Sequence, residues 1–328
     1  MNTATNGLKT WTTLAGGRRR PTEYEVVSYN LHTRTRHPGY AYELSPELFM
    51  NRFYREHVGG SVLQHPDWDA FRDPDELIYR QYNVLQDGHE EYVDGLLEEH
   101  ARNEHDLALD PAWLKGLPRL YTAARYPLHA LQMAAAYVVQ MAPASTITNC
   151  AAFQGADQYR WISRLAYRTR ELQVACPDLG FGAERALWED DPAWQGFREL
   201  LEKLLATYDW GEHVIALNVV AKPAFDLCRC RQLARAARDA GDTLTAMLLE
   251  AEWRDSERSQ RWTQALVALT LQHAPNDAAI ATILARWQPL ADTAIDAWCA
   301  ALPGVPEAAA AVKRGLRELQ QACGVQPA

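Results

Sequence analysis

Asp157-Gln158-Tyr159-Arg160-Trp161 lies inside a long stretch whose apolar residues recur at helical spacing, and its reading decides the fold. Starting at residue 255, Asp255-Ser256-Glu257-Arg258-Ser259 repeats the Asp-x-x-Arg frame in a second such stretch, followed by another Arg-Trp pair, Arg261-Trp262. Residues three apart share one helix face. In each frame the second and fifth positions therefore lie together: Gln158 with Trp161, and Ser256 with Ser259. A single Asp-x-x-Arg is an ordinary solvated surface pair. Two copies on two long helical segments point to a shared interior role.

In four-helix bundles that hold two metal ions, two helices each present a Glu-x-x-His pair to the cluster. The usual local form is Asp-Glu-x-Arg-His. Here Gln158 and Trp161 stand at one Glu/His pair of positions, Ser256 and Ser259 stand at the other, and no Glu-x-x-His occurs in the chain. The two remaining carboxylate slots fall about thirty residues upstream of each pair, near Leu128 and Lys222. Amide, indole and hydroxyl groups supply neither an anionic oxygen nor an imidazole nitrogen, and an apolar group and a cation oppose metal binding. No catalytic residue and no metal ligand is assigned to this chain. Asp157, Gln158, Arg160, Trp161, Asp255, Ser256, Arg258 and Ser259 are expected to form the structural relic of a ligand frame, the two Asp and two Arg as a buried ionic group joining two helices.

With 328 residues and 48% hydrophobic content the chain can bury a large core. Abundant Ala, Leu, Arg, Glu and Gln, with little period-two alternation, favour an all-α fold. A net charge of −9 without a cationic stripe excludes a nucleic-acid surface. The six scattered cysteines form no Cys-x-x-Cys or metal quartet, which fits a reducing cytoplasm, and no apolar run approaches the length of a membrane span. Eleven Trp and fourteen Tyr favour subunit interfaces in addition to a core.

Residues 1–72 read as an extended N-terminal arm, punctuated by Gly and Pro, and residues 73–328 as one helical domain. The arm is too aromatic for a solvated tail, which makes Trp11, Arg18, Arg19, Arg20, Tyr24 and Tyr29 interface candidates. Asp73-Pro74-Asp75-Glu76 looks like the capped start of the first long helix, with Ile78, Tyr82, Leu85, His89, Tyr92 and Leu96 as its apolar stripe, running to about His105. After a connection at Pro111 a second helix is expected over 118–141, kinked at Pro127. The Asp157 helix runs to about Gln173, a turn of helix lies around Glu184–Trp188, and further helices cover 193–207 and 209–239. Gly241-Asp242 then precedes the Asp255 helix, and 276–323 forms an Ala-rich helical pair broken at Pro303-Gly304.

The chain resembles the beta subunit of the hydroxylase component of bacterial toluene monooxygenases, within the multicomponent di-iron monooxygenases. The marks are Lys9-Thr10-Trp11, Gln140 to Thr146, Tyr167 to Leu172, Asp209-Trp210-Gly211-Glu212 and Trp287 to Asp292. The resemblance implies a ferritin-like, ribonucleotide-reductase-like bundle without a metal site. It implies pairing with a homologous alpha subunit that holds the di-iron centre and with a small gamma subunit, two copies of each. It further implies a transient effector protein, electrons from NADH through a reductase and a Rieske ferredoxin, and oxygen insertion into an aromatic ring on the alpha subunit.

Two other readings compete. One is a stand-alone ferritin-like oxidase with the unorthodox ligands His89, His129, Asp157 and Asp255; the other is a helical interaction protein unrelated to oxidation.

Overall fold

The computed structural model describes residues 20–29, 31, 45 and 47–326, and among these there is no strand. Trp11, Arg18 and Arg19 lie outside the described residues. Two short helices come first, α1 (Glu23–Ser28) and α2 (Phe49–Tyr54), the latter continued by a π turn at Arg55–Gly59. Then follow α3 (Tyr79–Arg102), α4 (Pro111–Leu120), α5 (Arg125–Met141), α6 (Ser145–Ala175), α7 (Glu184–Asp190) and α8 (Pro192–Leu205). A rod over 210–239 contains α9 (Trp210–Ile215), α10 (Lys222–Asp226) and α11 (Ala234–Asp239), joined by π turns at Ala216–Ala221 and Leu227–Leu233. The chain ends with α12 (Thr243–Thr270), α13 (Pro275–Ala300) and α14 (Ala308–Ala322).

Helix starts follow local chemistry. Asp110 and Asp191 each accept a hydrogen bond from the second helical N–H, at 2.6 and 2.9 Å, with proline at the first helical position of α4 and α8. Asp209 caps α9 through the Glu212 N–H at 2.8 Å, and Asp242 caps α12 through the Thr245 N–H at 2.9 Å. Asp73-Pro74 has the same letters but a different outcome. The Asp73 carboxylate accepts from the N–H groups of Asp75 and Leu77, at 3.0 and 3.1 Å, and Glu76 takes a left-handed φ of 45°. That conformation stops propagation, so the expected capping box is absent and α3 begins only at Tyr79.

The expected stripe of α3 is also rotated. Tyr82, Gln86, Val93, Leu96 and Leu97 are buried, whereas Leu85 and Tyr92 are exposed, because α3 lies in the groove between α6 and α12 and buries polar groups there. Pro111 opens a helix where a connection was expected, and Pro127 sits in the first turn of α5, where it interrupts little of the hydrogen-bond ladder. The core extends back past residue 73, since Leu63 and Phe71 are each 1% exposed within the main apolar cluster.

α5, α6, the 210–239 rod and α12 surround the bundle centre. α3 runs parallel to α6, with the Asn149 amide donating to the Leu77 carbonyl at 3.0 Å and Tyr82 stacked on Phe153. It runs antiparallel to α12, with Asp75 paired to Arg261 at one end and His100 touching Thr243 at the other. On the far side α8 packs on α13 so closely that a Cβ added at Gly196 would stand 2.5 Å from the Cα of Ala294. Backbone cannot yield there. Gly196→Ala is expected to destabilise the chain by about 1–3 kcal/mol, read as a lower urea midpoint with unchanged slope; an unchanged midpoint would show that α8 and α13 separate freely.

Candidate functional site

The two Asp-x-x-Arg frames meet at the bundle centre. Asp157 is 4% exposed, Asp255 3% and Arg258 8%, and Arg160 is half-buried at the α3 edge. The pairing crosses between helices: Arg258 of α12 contacts Asp157 of α6, and Arg160 of α6 contacts Asp255 of α12. Arg258 also reaches Asp255 at 3.2 Å, and Arg160 donates to Glu90 of α3 at 2.7 Å. Trp161 donates its indole N–H to Asp255 at 2.8 Å beneath the Arg160 guanidinium.

α3 closes the cluster with residues that no motif marked. The Gln86 amide donates to Asp157 at 2.7 Å and to Asp255 at 3.0 Å, and the Tyr82 hydroxyl donates to Asp157 at 2.8 Å. Their signal in the sequence is their spacing, since Tyr82, Gln86 and Glu90 are four apart and lie on one face. His89 Nδ1 is 3.8 Å from Asp255, and burial lowers its pKa below the ordinary imidazole value, which disfavours a charged partner role. His129 is exposed on α5, whereas Asp157 and Asp255 are buried. The ligand set expected of a stand-alone oxidase is therefore not assembled.

A second layer lies deeper. Lys222 of α10 contacts Asp226 one turn on and donates to the Ser256 hydroxyl at 3.1 Å, while Ser256 donates to Asp226 at 2.5 Å. Arg229 meets Glu252 at 3.1 Å, against the Tyr121 ring. Leu128 is 2% exposed on α5, and Ser259 turns its hydroxyl back to the Asp255 carbonyl. Gln158, 4% exposed, has no partner for either end of its amide. π turns flank α10 on both sides, a distortion that concentrates at functional sites and that no spacing in the sequence revealed.

The charges of this interior balance. Asp157, Asp226, Glu252 and Asp255 stand against Arg160, Lys222, Arg229 and Arg258. Four carboxylates around two divalent ions, the dimetal arrangement of such bundles, have the same sum. These residues do not fit a metal centre: the six positions that would face it hold Leu128, Gln158, Trp161, Lys222, Ser256 and Ser259, and side-chain cations already hold the carboxylates.

Of the arm's candidates, Tyr24 is corrected by the structure. It is 3% exposed within its own chain, where its hydroxyl accepts from the Asp73 N–H at 3.0 Å. Tyr29 is half-buried edge-on to Tyr24, and Arg20 is exposed. Among the described residues no helix is long and apolar enough to cross a membrane.

The fold and this interior define a class. A family model described as methane/phenol/alkene hydroxylase matches residues 44–274, and the chain belongs to that family. Its bundle is the ferritin-like one of these hydroxylases. Within the family it is 45% identical, over 90% of its own length and 90% of the relative's, to the toluene-4-monooxygenase system hydroxylase component subunit beta of Ectopseudomonas mendocina. It is 25% identical over 72% of its length, and 71% of the relative's, to the phenol 2-monooxygenase oxygenase component of Pseudomonas sp. strain CF600. It superposes with a TM-score of 0.85 on a chain of toluene 4-monooxygenase solved with toluene bound, at 45% identity, covering 90% of this chain and 97% of that one.

The paired carboxylates differ in character. Asp255, although buried, is held below its ordinary pKa by Arg160 and Arg258 and by the Gln86 and Trp161 donors. Burial, and then the Asp255 charge beside it, push Asp157 up from 3.8 to about 7. A folded-state value above the unfolded one means that the Asp157 contribution is full below about pH 4 and is lost as pH rises through about 7. Asp157→Asn is expected to cost about 1 kcal/mol or less at pH 7 and to flatten stability between those limits, whereas Asp255→Asn costs roughly 3–5 kcal/mol by stranding buried guanidinium. Urea unfolding of both variants across that range is the check; equal costs would contradict the asymmetry.

Proposed function

We propose that this chain is the non-catalytic beta subunit of a hydroxylase that oxidises toluene or a similar aromatic hydrocarbon with dioxygen and electrons from NADH. The observation that carries the reading is a bundle of the hydroxylase fold whose six metal-facing positions hold no ligand. Its similarity to a toluene-4-monooxygenase beta subunit supports the choice of complex. The di-iron centre then belongs to an alpha subunit of the same fold, with a small gamma subunit, two copies of each. An effector protein and a Rieske ferredoxin dock transiently, in the cytoplasm. No chemical step falls to residues of this chain; its interior holds a bundle shape against which the alpha subunit is positioned.

The arm is the surface we assign to that partner. α2 has no buried residue, and Leu48, just before it, and Phe49 and Met50, in its first turn, are exposed at 48, 66 and 43%. Arg20 and Tyr29 lie at the same end of the chain as the candidates Trp11, Arg18 and Arg19.

Co-expression with the alpha and gamma subunits of a toluene monooxygenase hydroxylase from the same source is the test. The chain is expected to co-purify in equal amounts with alpha, the iron to follow alpha, and NADH-dependent hydroxylation to disappear when this chain is omitted. Full activity without it would overturn the proposal. Removing residues 1–19, which spares α1 and the buried Tyr24, is expected to impair co-purification while leaving the circular dichroism of the isolated chain nearly unchanged; unaltered assembly would take that segment out of the interface.

A further inference from the structure

A cavity of about 20 Å3 lies among α5, α6, α10 and α12, with Gln158, Lys222, Asp226, Glu252 and Ser256 in its wall. The Lys222 ammonium enters it, in contact with the Asp226 carboxylate and 3.1 Å from the Ser256 hydroxyl. An ammonium group has three N–H donors, and these contacts use two. Gln158, 4% exposed, faces the same space with its amide oxygen unpartnered. The remaining donor can reach that oxygen through the single water that such a volume admits.

The other three carboxylates of the interior are already taken: Asp157 by Arg258, Asp255 by Arg160, and Glu252 by Arg229. One carboxylate, Asp226, is left for the cation in the cavity. A single negative charge with a hydroxyl and an amide oxygen matches a monovalent N–H donor. It falls short of the six or more oxygens that a hard divalent ion gathers.

We propose that this cavity is a binding site for a primary ammonium group, which the native chain fills with its own Lys222. The side chain occupies the place where the fold elsewhere carries metal, and its charge closes the balance that two divalent ions would otherwise supply. When Lys222 is shortened, the site takes a free alkylammonium ion. n-Propylammonium is the matched ligand, because it replaces the three outer methylenes and the amine that Lys222→Ala removes.

The experiment is thermal unfolding of the full chain as Lys222→Ala, with added n-propylammonium, 1-propanol or tetramethylammonium at equal ionic strength. The substitution is expected to lower Tm by roughly 4–7 °C, since it strands a buried carboxylate. About 50 mM n-propylammonium should restore close to half of that loss. 1-Propanol, which fills the void without charge, should restore clearly less than the amine, and tetramethylammonium, which has no N–H, none. In Lys222→Ala/Asp226→Asn the preference for the amine over the alcohol should vanish. If Lys222→Ala does not fold in plain buffer, recovery on refolding from urea with n-propylammonium supports the site. Equal rescue by 1-propanol, no rescue by the amine, or failure to refold with the amine while the double variant folds would overturn it.

Discussion

Carboxylates buried together at one point of a helical bundle repel one another, and the fold holds only if positive charge is placed among them or a proton is taken up, as at Asp157. In this chain Arg160, Lys222, Arg229 and Arg258 provide that charge, each from a helix that borders the centre. The arrangement decides what surrounds it. α3 must lie in the groove between α6 and α12, because Gln86 and Tyr82 complete the hydrogen bonding of Asp157 and Asp255. α10 must keep its flanking π turns, which accompany the placing of Lys222 and Asp226 against α12.

Tethered cations neutralise the buried carboxylates of this bundle from within the chain. Guanidinium and ammonium groups bind neither dioxygen nor a hydrocarbon, and their donors occupy the oxygens that a metal would use. On the proposed reading, such a chain serves the hydroxylase as a partner of fixed shape, and the exposed apolar face of α2 is the surface assigned to that contact.

Much of this was legible in the sequence because it rests on spacing. The two frames follow from helical spacing, and comparison with the ligand pattern of a dimetal bundle marks the missing Glu-x-x-His pairs and the unsuitable residues near Leu128 and Lys222. The family resemblance then supplied the complex. What escaped was set by tertiary context. Gln86 reads as a surface glutamine until α3 is seen lying over two carboxylates. Asp73-Pro74 reads as a cap until Glu76 turns left-handed, and Tyr24 reads as an interface residue until the Asp73 backbone claims its hydroxyl. The π turns leave no mark in apolar periodicity, because each shifts the register by a single residue.

The central claim is that side-chain cations stand in this bundle where a dimetal four-helix bundle holds its ions. Its most direct test is metal analysis of the separately purified chain, combined with thermal unfolding before and after exhaustive treatment with a chelator. The account predicts iron, manganese and zinc far below one atom per chain and an unchanged Tm. Stoichiometric metal, or a Tm that falls on chelation and returns when iron is restored, would contradict it.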